Sequence, residues 1–176
     1  TQSGGISYTT IGSSATAGTR IGFSNNPGTL NILAASGNIT VNTGSSGFEP
    51  TTTSNKAYFG AKSGTSVTSS SSNIRHITDD LTPSDGSMNF SSTGTLTIEP
   101  YGTSFASAFN TTLMTQTGLT GLTIGKSTNT ANITFGSATT IAGPITVYGG
   151  TLAINENISS SNGSTISLFG NGLTFG

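Results

Sequence analysis

The chain has 176 residues, five Lys plus Arg, six Asp plus Glu, one His, a formal net charge of −1 and a mean hydropathy of −0.03. With only 6% charged residues there is no basic stripe to follow a polyanion, so nucleic acid is excluded as a partner. The absence of Cys removes disulfides and thiolate metal sites.

Ser, Thr, Gly and Asn number 28, 34, 25 and 15, or 102 residues together. A near-zero net charge and the regular return of Ile, Val, Phe and Thr favour an ordered β protein over disorder. No run approaches the roughly 20 apolar residues of a spanning helix, so no membrane insertion is expected in this segment. The first residues have neither the basic start nor the apolar core of a signal peptide, nor an initiator Met, and the chain is read as a segment of something longer.

Residues 1 to 27 carry Ile6, Tyr8, Ile11, Ile21 and Phe23 among Gly, Ser and Thr, with a candidate short strand from Arg20 to Phe23. Leu30-Asn31-Ile32 and Ile39-Thr40-Val41 are then two apolar, small-polar, apolar triplets. Alternation along a strand sends the two apolar groups of such a triplet to one side and the polar group to the other. Ala34-Ala35-Ser36-Gly37-Asn38 between them has turn chemistry. The pattern is lost from 42 to 72, where Thr51 to Thr53 and Ser69 to Ser72 are low-complexity tracts. That span is either an insertion leaving the repeat or a set of irregular turns of it, with Phe48, Tyr58 and Phe59 tacking it to a core.

Ile74, Ile77 and Leu81 mimic a helical face, but Thr78 and Pro83 favour a short strand followed by a turn. Met88-Asn89-Phe90 and Leu96-Thr97-Ile98 restore the triplet. A second interruption, 99 to 118, contains Phe105, Ala106, Ala108, Phe109, Leu113 and Met114, which suit a short amphipathic helix or an aromatic-rich loop. Beyond it triplets start at 122, 133, 145, 152, 166 and 173, so alternate members are 23, 19, 21 and 21 residues apart.

A spacing near twenty with two or three short strands per turn predicts an all-β solenoid, a parallel β-helix running through 1–176, with 42–72 and 99–118 as possible insertions. Eight or nine coils would form a rod of roughly 40 Å. Its expected core is Leu122, Ile124, Ile133, Phe135, Ile145, Val147, Leu152, Ile154, Ile166, Leu168, Leu173 and Phe175. Outward positions are often Thr, at 40, 97, 123, 134, 146 and 174. Stacked Thr and Asn can satisfy one another without surface charge.

Gly121-Leu-Thr-Ile-Gly-Lys-Ser, Ala131-Asn-Ile-Thr-Phe and Thr140-Ile-Ala-Gly-Pro-Ile-Thr-Val-Tyr-Gly-Gly-Thr-Leu-Ala-Ile-Asn-Glu-Asn-Ile resemble the strand repeats of filamentous-haemagglutinin-like surface adhesins. They are similar in particular to the giant gliding-motility adhesins that gliding bacteria export by type IX secretion. Asn73-Ile-Arg-His-Ile-Thr-Asp-Asp-Leu and Ser91-Ser-Thr-Gly-Thr-Leu-Thr-Ile-Glu-Pro extend the likeness. It covers about residues 73 to 176, and 1 to 72 only in composition. The resemblance implies a right-handed parallel β-helix in a long, secreted, extracellular filament on a bacterial cell surface. Such a filament supports cell adhesion and gliding motility. Its partners would be neighbouring repeats of the same chain and a surface polysaccharide or an abiotic surface.

No catalytic, cofactor or metal residue is assigned, and the chain is not expected to be an enzyme. His76 beside Asp79 and Asp80 lacks a Gly-x-Ser-x-Gly elbow and is read as an exposed loop histidine. Asp79, Asp80 and Asp85 match no calcium loop spacing and are read as a solvated turn. Glu49, Glu99 and Glu156 are isolated, which disfavours a carbohydrate-active β-helix built on paired carboxylates. Asn-x-Ser/Thr at Asn38, Asn89, Asn110, Asn132, Asn157 and Asn162 is read as turn and ladder chemistry. Ice binding usually needs two outward Thr per strand at the same place in every coil, and Thr95-Leu96-Thr97 is the good match to that pattern. Tyr58, Phe59, Tyr101, Phe105, Phe109 and Tyr148 can stack on sugar rings, but most are expected to fill or cap the core. A phage or pilus-like fibre segment, usually trimeric, is the remaining alternative.

Overall fold

The computed structural model describes residues 6–9, 29–45, 56–81 and 87–176. The candidate strand at Arg20 to Phe23, together with Phe48, Glu49, Thr51 to Thr53 and Asp85, lies outside the described residues. The first half contains β1 (Ile6–Thr9), β2 (Thr29–Leu33), β3 (Asn38–Gly44), β4 (Lys56–Gly60), β5 (Asn73–Thr78), β6 (Ser87–Ser91) and β7 (Thr95–Glu99). There follow β8 (Phe109–Asn110), a 3-10 turn (Thr111–Leu113), β9 (Met114–Thr117), β10 (Gly121–Ile124), β11 (Ile133–Phe135) and β12 (Thr139–Ile141). The chain closes with β13 (Ile145–Tyr148), β14 (Thr151–Ile154), β15 (Ile158–Ser160), β16 (Ile166–Phe169) and β17 (Gly172–Phe175).

These strands form four sheets, ordered β1-β3-β5-β7-β10-β13-β16, β2-β4-β6-β9, β8-β11-β14-β17 and β12-β15. Every pairing among the described residues is parallel. From β10 onward the chain visits three sheets in a fixed order, β10, β11 and β12 and then β13, β14 and β15, whereas β9, which follows β7 and β8, belongs to the sheet of β2, β4 and β6. The fold is therefore all-β and built of stacked parallel sheets, an arrangement compatible with a β-helix. One passage from a strand of the seven-stranded sheet to the next is here a rung.

Register carries the packing. In the seven-stranded sheet Ile39, Ile74, Leu96, Leu122, Ile145 and Ile166 form one inward column, and Val41, His76, Ile98, Ile124, Val147 and Leu168 form the other. Phe109, Ile133, Leu152 and Leu173 line up in a second sheet. In a third, Phe59 lies on Phe90 with ring centroids 4.9 Å apart and planes within 17°. A strand with two inward side chains encloses nothing alone. Each fully buried aliphatic or aromatic side chain contributes about 1.5–3 kcal/mol, and it is buried only because a neighbouring rung covers it.

The alternate triplets do pair: Leu122 with Ile145 and Ile145 with Ile166, Ile133 with Leu152 and Leu152 with Leu173. The triplet pattern missed the third position, β12 and β15, because Thr139-Thr140-Ile141 and Ile158-Ser159-Ser160 each carry one apolar residue. Rungs are also longer than about twenty residues in the first half. Successive members of the first column are 35, 22, 26, 23 and 21 residues apart.

Both spans read as possible insertions contribute strands to the sheets, with 61–72 and 100–108 irregular. Lys56–Gly60 is β4, paired on one side with β2 and on the other with β6. In 99–118 the amphipathic helix is absent: Phe109–Asn110 and Met114–Thr117 are strands, and only Thr111–Leu113 makes a helical turn. Of the expected core, residues 122, 124, 133, 135, 145, 147 and 152 are buried, with Ile154 and Leu168 partly so. Ile166, Leu173 and Phe175 remain 37%, 48% and 75% exposed, since they stand on β16 and β17, the outermost strands of their sheets.

The corners leading into the seven-stranded sheet set the closest approach between rungs. At Gly143 a Cβ would overlap the backbone carbonyl of Thr120, and that carbonyl belongs to the rung beneath and cannot swing away. At Gly163, φ is +73° and nothing lies within 4 Å of a built Cβ. We therefore expect Gly143→Ala to lower the thermal midpoint well beyond Gly163→Ala, whose cost is confined to about 1 kcal/mol of left-handed backbone strain. Melting both variants by circular dichroism checks the order.

Candidate functional site

His76 is not an exposed loop residue. It lies in β5 between Val41 and Ile98 in an inward column, is 0% exposed, and has its ring 5.7 Å from that of Phe59. The residue sits at an inward register position, so it follows the apolar column into the interior. Burial favours the neutral imidazole and lowers its pKa from 6.5 to about 4. Between those values the unfolded chain binds a proton that the folded chain refuses, so stability is full above about pH 6.5 and falls as pH drops toward 4. The loss attributable to His76 is roughly 3 kcal/mol. His76→Leu should flatten the difference in urea stability between pH 7.5 and 4.5 relative to the unaltered chain. An unchanged difference would remove His76 as its cause.

The acids named from the sequence do not assemble. Asp79 Oδ1 accepts from Gly102 N at 2.6 Å and the Asp79 carbonyl accepts from Ala106 N at 2.5 Å, pinning the 100–106 segment of the next rung. Glu99 pairs with Arg75, its diagonal neighbour across β5 and β7, and Glu156 is exposed. Among the described residues there is no group of three or more His, Cys, Asp or Glu that could hold a metal ion. No helix of the described residues is long and apolar enough to cross a membrane.

The aromatics divide by register. Phe59, Phe105 and Phe109 are buried in the core, while Tyr101 is 52% exposed. Tyr148 points outward from β13 and stacks on Phe169 of β16, with centroids 4.9 Å apart and planes within 11°. Beside that pair runs a groove of about 450 Å³ lined by Ser127 to Thr130, Gly149 and Asn171, among others. Its polar groups largely serve the chain. Asn129, 5% exposed, accepts from Ser104 Oγ at 2.9 Å and Phe105 N at 3.1 Å and donates to the Tyr148 carbonyl at 2.7 Å. Thr128 Oγ1 donates to the Thr103 carbonyl at 2.6 Å.

Asn129 thus ties three rungs through one amide. Asn129→Ala would leave a buried N–H and C=O without partners, a penalty of about 1–3 kcal/mol for each group. We expect a fall in the unfolding midpoint without change in the slope of a denaturant titration, which an equilibrium urea curve reads directly.

A second groove, about 360 Å³, lies on the outward side of β4, β6 and β9 and is lined by Tyr58, Lys62, Asn89, Ser91, Thr115 and Thr117 among others. Tyr58, Asn89 and Thr115 form one outward column. Thr115 Oγ1 donates to Asn89 Oδ1 at 2.7 Å, and Asn89 Nδ2 donates to the Ala57 carbonyl at 3.2 Å. Lys62 stands over the Tyr58 ring, 4.5 Å from its centroid, and donates to Asn31 Oδ1 at 3.2 Å. Lys62 and Thr115 carry no signal in the sequence and Asn89 only that of an Asn-x-Ser/Thr run, and no local motif could have brought them together, because they come from three rungs.

Outward Thr40, Arg75, Thr97, Thr123, Thr146 and Ser167 form a single column on the seven-stranded sheet. The Thr95 column next to it meets Gly121 on the following rung, so the paired Thr array that ice recognition usually uses does not develop there. Ladder chemistry does occur elsewhere: Thr140 and Ser159 hydroxyls lie 3.0 Å apart, Asn132 Oδ1 accepts from Thr151 N at 2.9 Å, and Asn73 Oδ1 accepts from Thr95 N at 3.0 Å. No protein-family model, curated protein or solved structure matches this chain.

Proposed function

We propose that the chain is a stretch of a right-handed parallel β-helix serving as the shaft of a long bacterial cell-surface adhesin of the filamentous-haemagglutinin kind. The observation that carries the reading is the continuous parallel pairing of the seven-stranded sheet, in which each rung rests on its predecessor and the register shifts once, between Asn42 and Gly44 of β3. A protein built this way lengthens by adding rungs, with stability set by nearest neighbours. Such a body suits an extended spacer on the outside of a cell. Sparse titratable groups suit it as well, since a shaft needs no active site.

In this reading the segment is secreted, holds adhesive surfaces away from the cell and supports surface attachment, with gliding motility as the setting that the sequence resemblance suggests. Its partners are the neighbouring repeats and a surface polysaccharide or abiotic surface. A trimeric phage or pilus-like fibre is the less favoured reading, because the inward columns are covered by rungs of the same chain and need no second chain between them. A carbohydrate-cleaving β-helix is disfavoured by the separation of Asp79, Glu99 and Glu156 into different roles.

Two measurements decide. Sedimentation equilibrium of the 176-residue chain should return a monomer, and a trimer would favour the fibre reading. An antibody raised against residues 121 to 176 should decorate long surface filaments on intact cells that make the parent protein. Label confined to released particles or to the cell interior would overturn the adhesin reading.

A further inference from the structure

We infer that the groove over β4, β6 and β9 binds a carboxylate-bearing sugar unit of an acidic polysaccharide, with Lys62 taking the carboxylate. The inference deepens the adhesive part of the reading above, while the shaft role stands whether or not the groove binds. Three observations lead to it.

The first is the place of Lys62, the one cation among the lining residues of this groove. Arg75 is already matched by Glu99, and Lys126 Nζ donates to the carbonyls of Pro100 at 3.0 Å and Tyr101 at 3.4 Å. No described carboxylate stands within ion-pair distance of Lys62. An ammonium has three donors. One is used on Asn31 Oδ1, and Lys62 is among the residues that line the groove.

The second is that the cation is held in place. Its segment is closed by Lys62 N donating to the Val67 carbonyl at 2.9 Å and by Thr65 Oγ1 donating to the Lys62 carbonyl at 2.8 Å, around Gly64 at φ +78°. The Tyr58 ring below fixes the head group by a cation–π contact. A positioned ammonium loses less freedom on binding than a loose one, and a carboxylate brought to it gains charge-assisted hydrogen bonds.

The third is the remaining lining. Ser63, Thr68, Ser91, Thr115 and Thr117 contribute hydroxyls, Asn89 an amide and Tyr58 a ring. That set suits a polyol, whose alcohols both donate and accept. The volume of about 360 Å³ falls in the small-ligand range of about 300–1,000 Å³. With one cation and no second basic residue in the lining, the site suits a unit carrying a single negative charge. A uronate is the simplest such sugar.

The test is isothermal titration of the 176-residue chain with trigalacturonate and with its methyl ester. Removing one charge-assisted bond changes affinity by about tenfold or more. Binding of the free acid should therefore weaken at least about tenfold on esterification and in Lys62→Met, persist in Lys62→Arg, and be untouched in Lys126→Met. Absence of binding, equal affinity for acid and ester, tighter binding of a sulfated neutral trisaccharide, or an unaffected Lys62→Met would each overturn the inference. Should Lys62→Met fail to fold by circular dichroism, the acid and ester on the unaltered chain decide alone. A monomer that decorates filaments yet ignores trigalacturonate refutes the groove and leaves the shaft reading in place.

Discussion

Each strand of this protein depends on the strand one rung away for two things it cannot supply itself. It needs cover for its two inward side chains and partners for its backbone N–H and C=O groups. Parallel pairing provides both at once, because the same register that aligns the hydrogen bonds puts Leu122 over Leu96 and Ile145 over Leu122. A slip of one residue would turn every inward group to solvent and bring Thr97, Thr123 and Thr146 into the core. Packing and hydrogen bonding thus select one register, which explains how a chain so poor in sequence variety still specifies a structure.

The polar composition follows from the corners. Where the chain turns from one sheet to the next its backbone groups leave the ladder and would be stranded in the interior. Small hydroxyl and amide side chains take them up across rungs. Buried Ser72 donates to the Ala34 carbonyl at 3.1 Å, and buried Ser92 donates to the Ser72 carbonyl at 2.7 Å and accepts from Gly94 N at 3.0 Å. A longer polar side chain would not fit between rungs, and a charged one would have to be desolvated there. Ser, Thr, Asn and Gly therefore do at the corners what charged residues do on the surface of an ordinary domain.

The second half of the fold was legible because its rungs differ little in length and each strand announces itself as apolar, small-polar, apolar. The first half hid for specific reasons. Ala57-Tyr58-Phe59 is the same triplet with a tyrosine in the outward place, which disguises it as an aromatic cluster. Ile74-Arg75-His76 conceals an inward column behind two ionisable residues. A histidine beside two aspartates reads as solvent-exposed chemistry, yet register places its imidazole in the interior. The sites were harder still. Neither groove could be read along the chain, since Tyr58, Asn89 and Thr115 are neighbours only through pairings that join three rungs.

That geometry also says where function can arise in such a protein. Inward positions answer to their neighbours above and below, and corner positions answer to the backbone, so both resist change. Outward positions answer to neither. The column Thr40, Arg75, Thr97, Thr123, Thr146, Ser167 tolerates a guanidinium among hydroxyls, and the column Tyr58, Asn89, Thr115 tolerates a ring, an amide and a hydroxyl in succession. Residues at these places reach solvent along a row whose spacing, about 4.8 Å, is fixed by the backbone. A repeating polymer lying along such a row meets side chains at regular intervals, so even a weak contact at one rung gains from the next through effective concentration. A contact that would be negligible on one strand adds up when the scaffold repeats it, provided that the rungs hold their register.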